Sequence, residues 1–168
     1  MSVDDAVSSL YKAPAIQKAV AVSVAKSTKV STARNMSNDG SALGINLIKP
    51  INGSISSRFG ERSSVRGGAH TGLDIAAPIG TPIKAAASGT VVFADTNGSY
   101  GKLVVISHGN GVQTYYGHCS VLNVSAGDKV SQGAVIAKVG MTGNTTGPHL
   151  HLEIRVNGVA RNPQKYLY

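Results

Sequence analysis

His149-Leu150-His151-Leu152-Glu153-Ile154-Arg155-Val156, closed by Asn157-Gly158, sets the reading of everything around it. Polar and apolar residues alternate without a break, the period-2 pattern of a β-strand with one buried face. Leu150, Leu152, Ile154 and Val156 are expected to enter a core. His149, His151, Glu153 and Arg155 then share the other face, towards solvent or a groove. Asn157-Gly158 supplies the φ > 0 pair of a tight hairpin, so the chain should fold back through Val159 and Ala160.

Working outward, the texture is the same from Leu47 onward: short runs of β-branched residues separated by glycine-bearing turns. Ser54–Gly60 and His70–Ala76 read as strand or loop segments, and Pro78–Pro82 as a turn. Strands are expected at 83–86, 89–94, 102–107, 113–118, 121–124, 129–130 and 135–139, with Asn97-Gly98 and Asn110-Gly111 as hairpin turns. This density of short strands predicts an all-β fold, an antiparallel sandwich or barrel. Residues 1–44 have a different composition, rich in Ser, Ala, Thr and Lys and without an apolar stripe. They read as a flexible or partly helical N-terminal arm preceding one domain, 45–168.

The 168 residues carry a net charge of +8, which predicts attraction to a polyanion. Nucleic acid is the weaker choice: there is no Trp, and no basic run is interleaved with aromatics that would stack bases. A single cysteine, Cys119, excludes an internal disulfide and leaves the compartment open. No segment reaches the roughly 20 apolar residues of a membrane span.

The chemistry concentrates in five histidines, His70, His108, His118, His149 and His151. His70-x-x-x-Asp74 is an imidazole–carboxylate pair that a strand end can fold around one ion. One imidazole from His149-x-His151 would bring the set to three N/O ligands with a fourth position open, as in a catalytic zinc site. Spacing does not say which of His149 and His151 that would be. A closed structural zinc usually takes several thiolates, and the chain offers one. Only two glutamates are present, Glu61 and Glu153, and there is no His-Glu-x-x-His helix, so imidazoles are the expected proton handlers.

The segments Ile55-Ser56-Ser57-Arg58-Phe59-Gly60-Glu61-Arg62, His70-Thr71-Gly72-Leu73-Asp74, Tyr116-Gly117-His118 and Thr142-Gly143 through Glu153 resemble the lysostaphin/LytM-type zinc metallopeptidases, the M23 peptidases, from about Lys49 to Tyr168. The resemblance implies a barrel-sandwich hybrid, a duplicated hybrid motif with a groove over the sheet. It implies one Zn²⁺ held by His70, Asp74 and His151, with His118 and His149 as catalytic histidines. It further implies hydrolysis of bacterial peptidoglycan peptides outside the cytoplasm, with a phage virion as the alternative setting, and attraction of the cationic surface to anionic wall polymers. A monomer is expected. Asn35 or Asn38 of the arm is a candidate for capping the open zinc position, as in latent relatives.

Other residues take blander expectations. His108, at a strand end, is expected to be structural, and Cys119 a packed thiol. Glu153 is expected to pair with a cation or to orient a neighbour, and Tyr115 and Tyr116 to be half-buried or to touch substrate. Gly67, Gly68 and Gly147 would form a smooth groove floor for slender peptides. Two competing readings are a wall-binding scaffold on the same fold and a carrier domain, suggested by Val130-x-x-Gly133 and Gly89-Thr90-Val91-Val92. Inactive relatives usually lose a ligand or catalytic histidine, whereas this chain keeps all five positions. A carrier gives no reason for His70-x-x-x-Asp74.

Overall fold

The structure, a computed structural model, describes residues 43–64 and 67–168. The strands are β1 (Ser54–Ser57), β2 (Leu73–Ala76), β3 (Pro82–Lys84), β4 (Gly89–Thr96), β5 (Lys102–Gly109), β6 (Val112–Leu122), β7 (Lys129–Val130), β8 (Val135–Val139), β9 (His149–Val156) and β10 (Val159–Arg161). A short 3-10 turn spans Gly98–Tyr100, and a one-turn helix, α1, spans Gln164–Leu167. The described strand pairs are antiparallel. The sheet order is β1-β2-β9-β6-β5-β4-β7, with β10 on β9 and β8 joining β6 to β3.

β6 carries two sets of partners. Its first part, Val112–Gly117, pairs with β9, and its last part, Cys119–Leu122, pairs with β8. The strand therefore feeds two layers, and the main core lies between them. Leu73 and Ile75 from β2, Leu150 and Leu152 from β9, and Val104 and Ile106 from β5 meet Ile83, Ile136 and Val139 from β3 and β8. This is the expected all-β sandwich. A second cluster joins Leu43, Ile45, Ala87, Val112 and Ile154. The expected arm, 1–44, lies outside the described residues except for its last two, of which Leu43 is buried.

Several sequence expectations are corrected. The run 113–118 and the first half of 121–124 are one continuous strand in β6, which ends at Leu122 and is bent at His118, whose φ is 61°. Asn97-Gly98 is not a two-residue hairpin. Asn97 is extended, with φ −144°, and the connection is the longer 3-10 turn that brings Tyr100 back over the sheet. Asn110-Gly111 and Asn157-Gly158 do take positive φ at both positions, as their hairpins require. On β9, Glu153 and Arg155 are buried rather than solvent-facing. The alternation identified the face correctly but carried no information about what covers it.

His108 is fully buried and has a structural role, as expected. Its Nδ1–H donates to the Ser88 carbonyl at 2.7 Å, and its Nε2 accepts from the Thr114 hydroxyl at 2.8 Å. Thr114 Oγ1 accepts from the Tyr116 hydroxyl at 2.8 Å, which accepts the Ala86 N–H at 3.0 Å. The polar groups of this His108–Thr114–Tyr116 relay are all satisfied, in an arrangement that suits a neutral imidazole. Burial lowers the His108 pKa to about 4 against the opposing pull of the Ser88 carbonyl. The unfolded chain binds a proton here below about pH 6.5, while the folded chain does so only near pH 4. The contribution of His108 is therefore complete above about pH 6.5 and is lost as the pH falls towards 4, by about 3 kcal/mol. Urea unfolding of wild type and His108→Asn at several pH values checks this. The stability advantage of wild type should shrink between pH 7 and 4, and a constant advantage would contradict it.

Candidate metal centre

Register builds the site. Asp74 on β2 stands directly opposite His151 on β9, and His149 opposite Ala76. Paired residues in an antiparallel ladder project from the same face, so the Asp74 carboxylate and the His151 imidazole meet. His70 reaches them from the loop before β2. Gly72 permits the approach: a Cβ there would sit 2.3 Å from the Leu152 carbonyl oxygen and 2.9 Å from Glu153 Cγ.

Three donor atoms converge. His70 Nε2 is 3.0 Å from Asp74 Oδ1 and 3.1 Å from His151 Nδ1, which is 2.9 Å from the same oxygen. His70 and Asp74 have a relative exposure of 3% and 5%, and His151 of 7%. The outer hydrogen bonds fix the tautomers. His70 Nδ1 lies 2.9 Å from the Arg58 carbonyl, which can only accept, so Nδ1 carries the proton. His151 Nε2 likewise donates to Glu153 Oε1 at 2.8 Å. In its neutral form each ring thus turns a lone pair towards a carboxylate oxygen, an arrangement that a cation satisfies. The separations are within a few tenths of an ångström of the roughly 3.3 Å between ligands of a tetrahedral zinc with bonds of about 2.0–2.1 Å. The donor set fits zinc.

The electrostatics agree. Burial raises the Asp74 carboxyl, but the imidazoles of His151 and His70 outweigh it and hold the group well below the usual carboxylate range. Burial disfavours a charged His151, yet Asp74 and Glu153 raise its pKa to about 9, so the local field favours positive charge.

Two further imidazoles stand beside the three donors. His118 Nδ1 donates to the Thr142 carbonyl at 2.7 Å, and the ring meets His149 edge-on at 4.8 Å between centroids. Burial lowers the His118 pKa to about 4, although the Thr142 carbonyl pulls it upward. His149 Nδ1 donates to the Gly147 carbonyl at 2.9 Å, which leaves Nε2 3.5 Å from Asp74 Oδ2. All five groups line one groove of about 510 Å³. Its remaining walls are rich in hydroxyls, with Ser56, Ser57, Thr71, Ser99, Thr145 and Thr146 among them. Gly67, Gly68 and Gly147 do not line it, which corrects the expected glycine floor.

Residues 68–163 match peptidase family M23. The chain belongs to the M23 peptidase family. The M23 domain is 51% identical over 94 residues to the DD-carboxypeptidase/endopeptidase Mpg of Neisseria gonorrhoeae, covering 56% of this chain and 22% of that protein. It is 46% identical over 96 residues to the peptidoglycan DD-endopeptidase ShyC of Vibrio cholerae, covering 57% and 22%. The matches therefore span about a fifth of the length of these relatives. Among solved structures, a zinc-containing peptidase from Vibrio cholerae superposes with a TM-score of 0.64 at 33% identity, covering 68% of this chain and 37% of that one.

The residues that fasten the M23 site were largely invisible in the sequence. Glu153 has no exposed surface. Its Oε1 accepts from Thr71 at 2.7 Å, Tyr100 at 2.7 Å and His151 at 2.8 Å, while Oε2 accepts from Arg155 Nε at 2.7 Å. Burial raises its pKa, but His151 and Arg155 outweigh this and bring it to about 2. Of the two expectations for Glu153, cation pairing and orientation of a neighbour, its contacts display both. Arg155 also lies over the Tyr115 ring, 4.6 Å from its centroid. Tyr115 and Tyr116 are buried, not half-exposed, and Tyr100 takes the place in the groove wall envisaged for them. Cys119 is a packed thiol, its pKa pushed up to about 12 by burial. Asn35 and Asn38 lie outside the described residues.

Glu153→Gln keeps the size of the side chain but removes the charge that faces His151 and Arg155. Carboxylates hydrogen-bonded to a metal-binding imidazole typically contribute 10–100-fold to metal affinity. Zinc affinity, measured by competition with a chelator, should weaken by about that factor. An unchanged affinity would show that Glu153 only fills space.

Proposed function

We propose that this chain is a zinc-dependent endopeptidase that hydrolyses peptide crosslinks or stem peptides of bacterial peptidoglycan. The observation that carries the reading is the convergence of His70 Nε2, Asp74 Oδ1 and His151 Nδ1, with tautomers fixed from outside, at the floor of an open groove. These three residues would hold the zinc. The names of the relatives Mpg and ShyC favour a D-amino-acid crosslink over a glycine bridge as the substrate. Such a substrate places the work outside the cytoplasmic membrane. Among the described residues no helix is long and apolar enough to cross a membrane. The net charge of +8 supports attraction to anionic wall polymers, without conferring specificity.

Zinc, when bound, supplies Lewis acidity that polarises a peptide carbonyl and lowers the pKa of water. The protein supplies geometry and proton handling. His118, its pKa lowered by burial to about 4 and its Nδ1–H held by the Thr142 carbonyl, would offer Nε2 to a hydrogen bond from the attacking water. His149, with Nε2 beside Asp74, takes the proton released by that water and delivers it to the leaving nitrogen. The C–N bond breaks as the carbonyl carbon gains oxygen, yielding a carboxylate and a new amine. The hydroxyl-lined walls match the amide groups of a peptide.

Purified peptidoglycan incubated with the zinc-loaded chain should release new amine termini without new sugar reducing ends. A scaffold that regulates another hydrolase would release neither. His151→Ala should lose zinc and turnover together. His149→Ala and His118→Ala should keep near-stoichiometric zinc, while turnover falls by about 10²–10⁴-fold, the usual contribution of a positioned acid–base group. Zinc loss confined to His149→Ala would reverse the assignment of ligand and proton carrier.

A further inference from the structure

His118 is held in an unusual way. It occupies the interior of an eleven-residue strand with φ 61°, whereas the other described non-glycine residues with positive φ, Asn110 and Asn157, sit in hairpin turns. A left-handed residue in a strand costs free energy and persists only where its surroundings impose it. The β5–β6 register shifts between Lys102 and Val104, opposite the bend.

Thr142 occupies that irregularity. Lys102 and Cys119 are paired across the β5–β6 ladder. The Lys102 N–H donates to Thr142 Oγ1 at 2.9 Å, and Thr142 Oγ1–H donates to the Cys119 carbonyl at 2.6 Å. One hydroxyl thus bridges a donor on β5 and an acceptor on β6, immediately after His118. The carbonyl of the same residue accepts His118 Nδ1–H at 2.7 Å. Backbone packing fixes the segment: a Cβ at Gly101 would lie 2.3 Å from Thr142 C, and one at Gly143 would lie 2.4 Å from Gly101 N.

We propose that Thr142 is a positioning residue for His118, its hydroxyl bridging β5 and β6 so that its own carbonyl fixes the imidazole and aims Nε2 into the groove. The inference rests on the reading of His118 as a catalytic group. Thr142 touches none of the three zinc-binding atoms, so its effect should appear in turnover and not in zinc affinity.

The test uses the zinc-loaded chain and peptidoglycan peptides. Thr142→Val keeps the shape and removes the hydroxyl, and Thr142→Ser keeps the hydroxyl and removes the methyl. Thr142→Val should lower kcat by about tenfold or more, part of the 10²–10⁴ of a positioned acid–base group, with KM changed less than about twofold. Zinc affinity by chelator competition should be unchanged, and Thr142→Ser should restore most of kcat. If Thr142→Val does not fold, Thr142→Ala removes the same hydroxyl with less bulk against the Lys102 amide and is read in the same way. In a His118→Ala background the Thr142→Val effect should vanish, because the two residues act as one unit. A purely structural role predicts additive losses, and additivity overturns the proposal, as does wild-type kcat in the hydroxyl-deleted variant or a loss of zinc affinity. Full activity of His118→Ala alone would instead sink the underlying assignment of His118.

Discussion

The register of β2 on β9 is the constraint on which the site depends. Asp74 faces His151 because Leu73 faces Leu152 and Ile75 faces Leu150, with those four side chains fully buried on the opposite side of the two strands. A slip of one residue would turn the leucines and isoleucine out of the core and the carboxylate into it. Burying each such side chain is worth roughly 1.5–3 kcal/mol, so four together rival the net stability of a whole domain, about 5–15 kcal/mol. Core packing, and not any attraction between Asp74 and His151, selects the pairing. The two polar groups are then brought together by a fold that has other reasons to exist.

That arrangement leaves a charge to be balanced. Asp74 and Glu153 are both buried carboxylates, and each alone would be costly to remove from water. Glu153 is balanced by Arg155 and by hydroxyls from Thr71 and Tyr100. Asp74 has imidazoles as its near neighbours, and their lone pairs face it. One carboxylate therefore fastens its neighbours, and the other is one of three converging groups that could hold a cation. The same ring, His151, joins the two through its opposite nitrogens.

The two flanking imidazoles are held by main-chain carbonyls rather than by side chains. Thr142 and Gly147 supply them, from the segment between β8 and β9. The part of that segment around Thr142 lies flush against neighbouring backbone, as shown by Gly140, where a Cβ would come within 2.4 Å of Ser120 N. A carbonyl can only accept, so Nδ1 carries a proton in each, and the neutral form of either ring has its lone pair on the other edge. Placement of His118 is thus a property of loop packing over the sheet.

The fold class was legible in the sequence, and so were the five side chains that share the groove. Alternation in β9, the hairpins at Asn110-Gly111 and Asn157-Gly158 and the bounds of β7 and β8 were legible because side-chain period and turn chemistry are local properties. His70, Asp74, His118, His149 and His151 were legible because few residue types bind metals or move protons, and the chain has few of them. The tertiary structure alone decided the rest. The bend of β6 at His118, the burial of Glu153 and Arg155, and the recruitment of Tyr100 to the groove arise from contacts between segments far apart in the chain. Arg58, Thr142 and Gly147 act through carbonyl oxygens, which every residue possesses and no sequence pattern marks. Which nitrogen of His70, His118 and His149 faces the groove was therefore set by where the backbone folds, and only the three-dimensional packing records that.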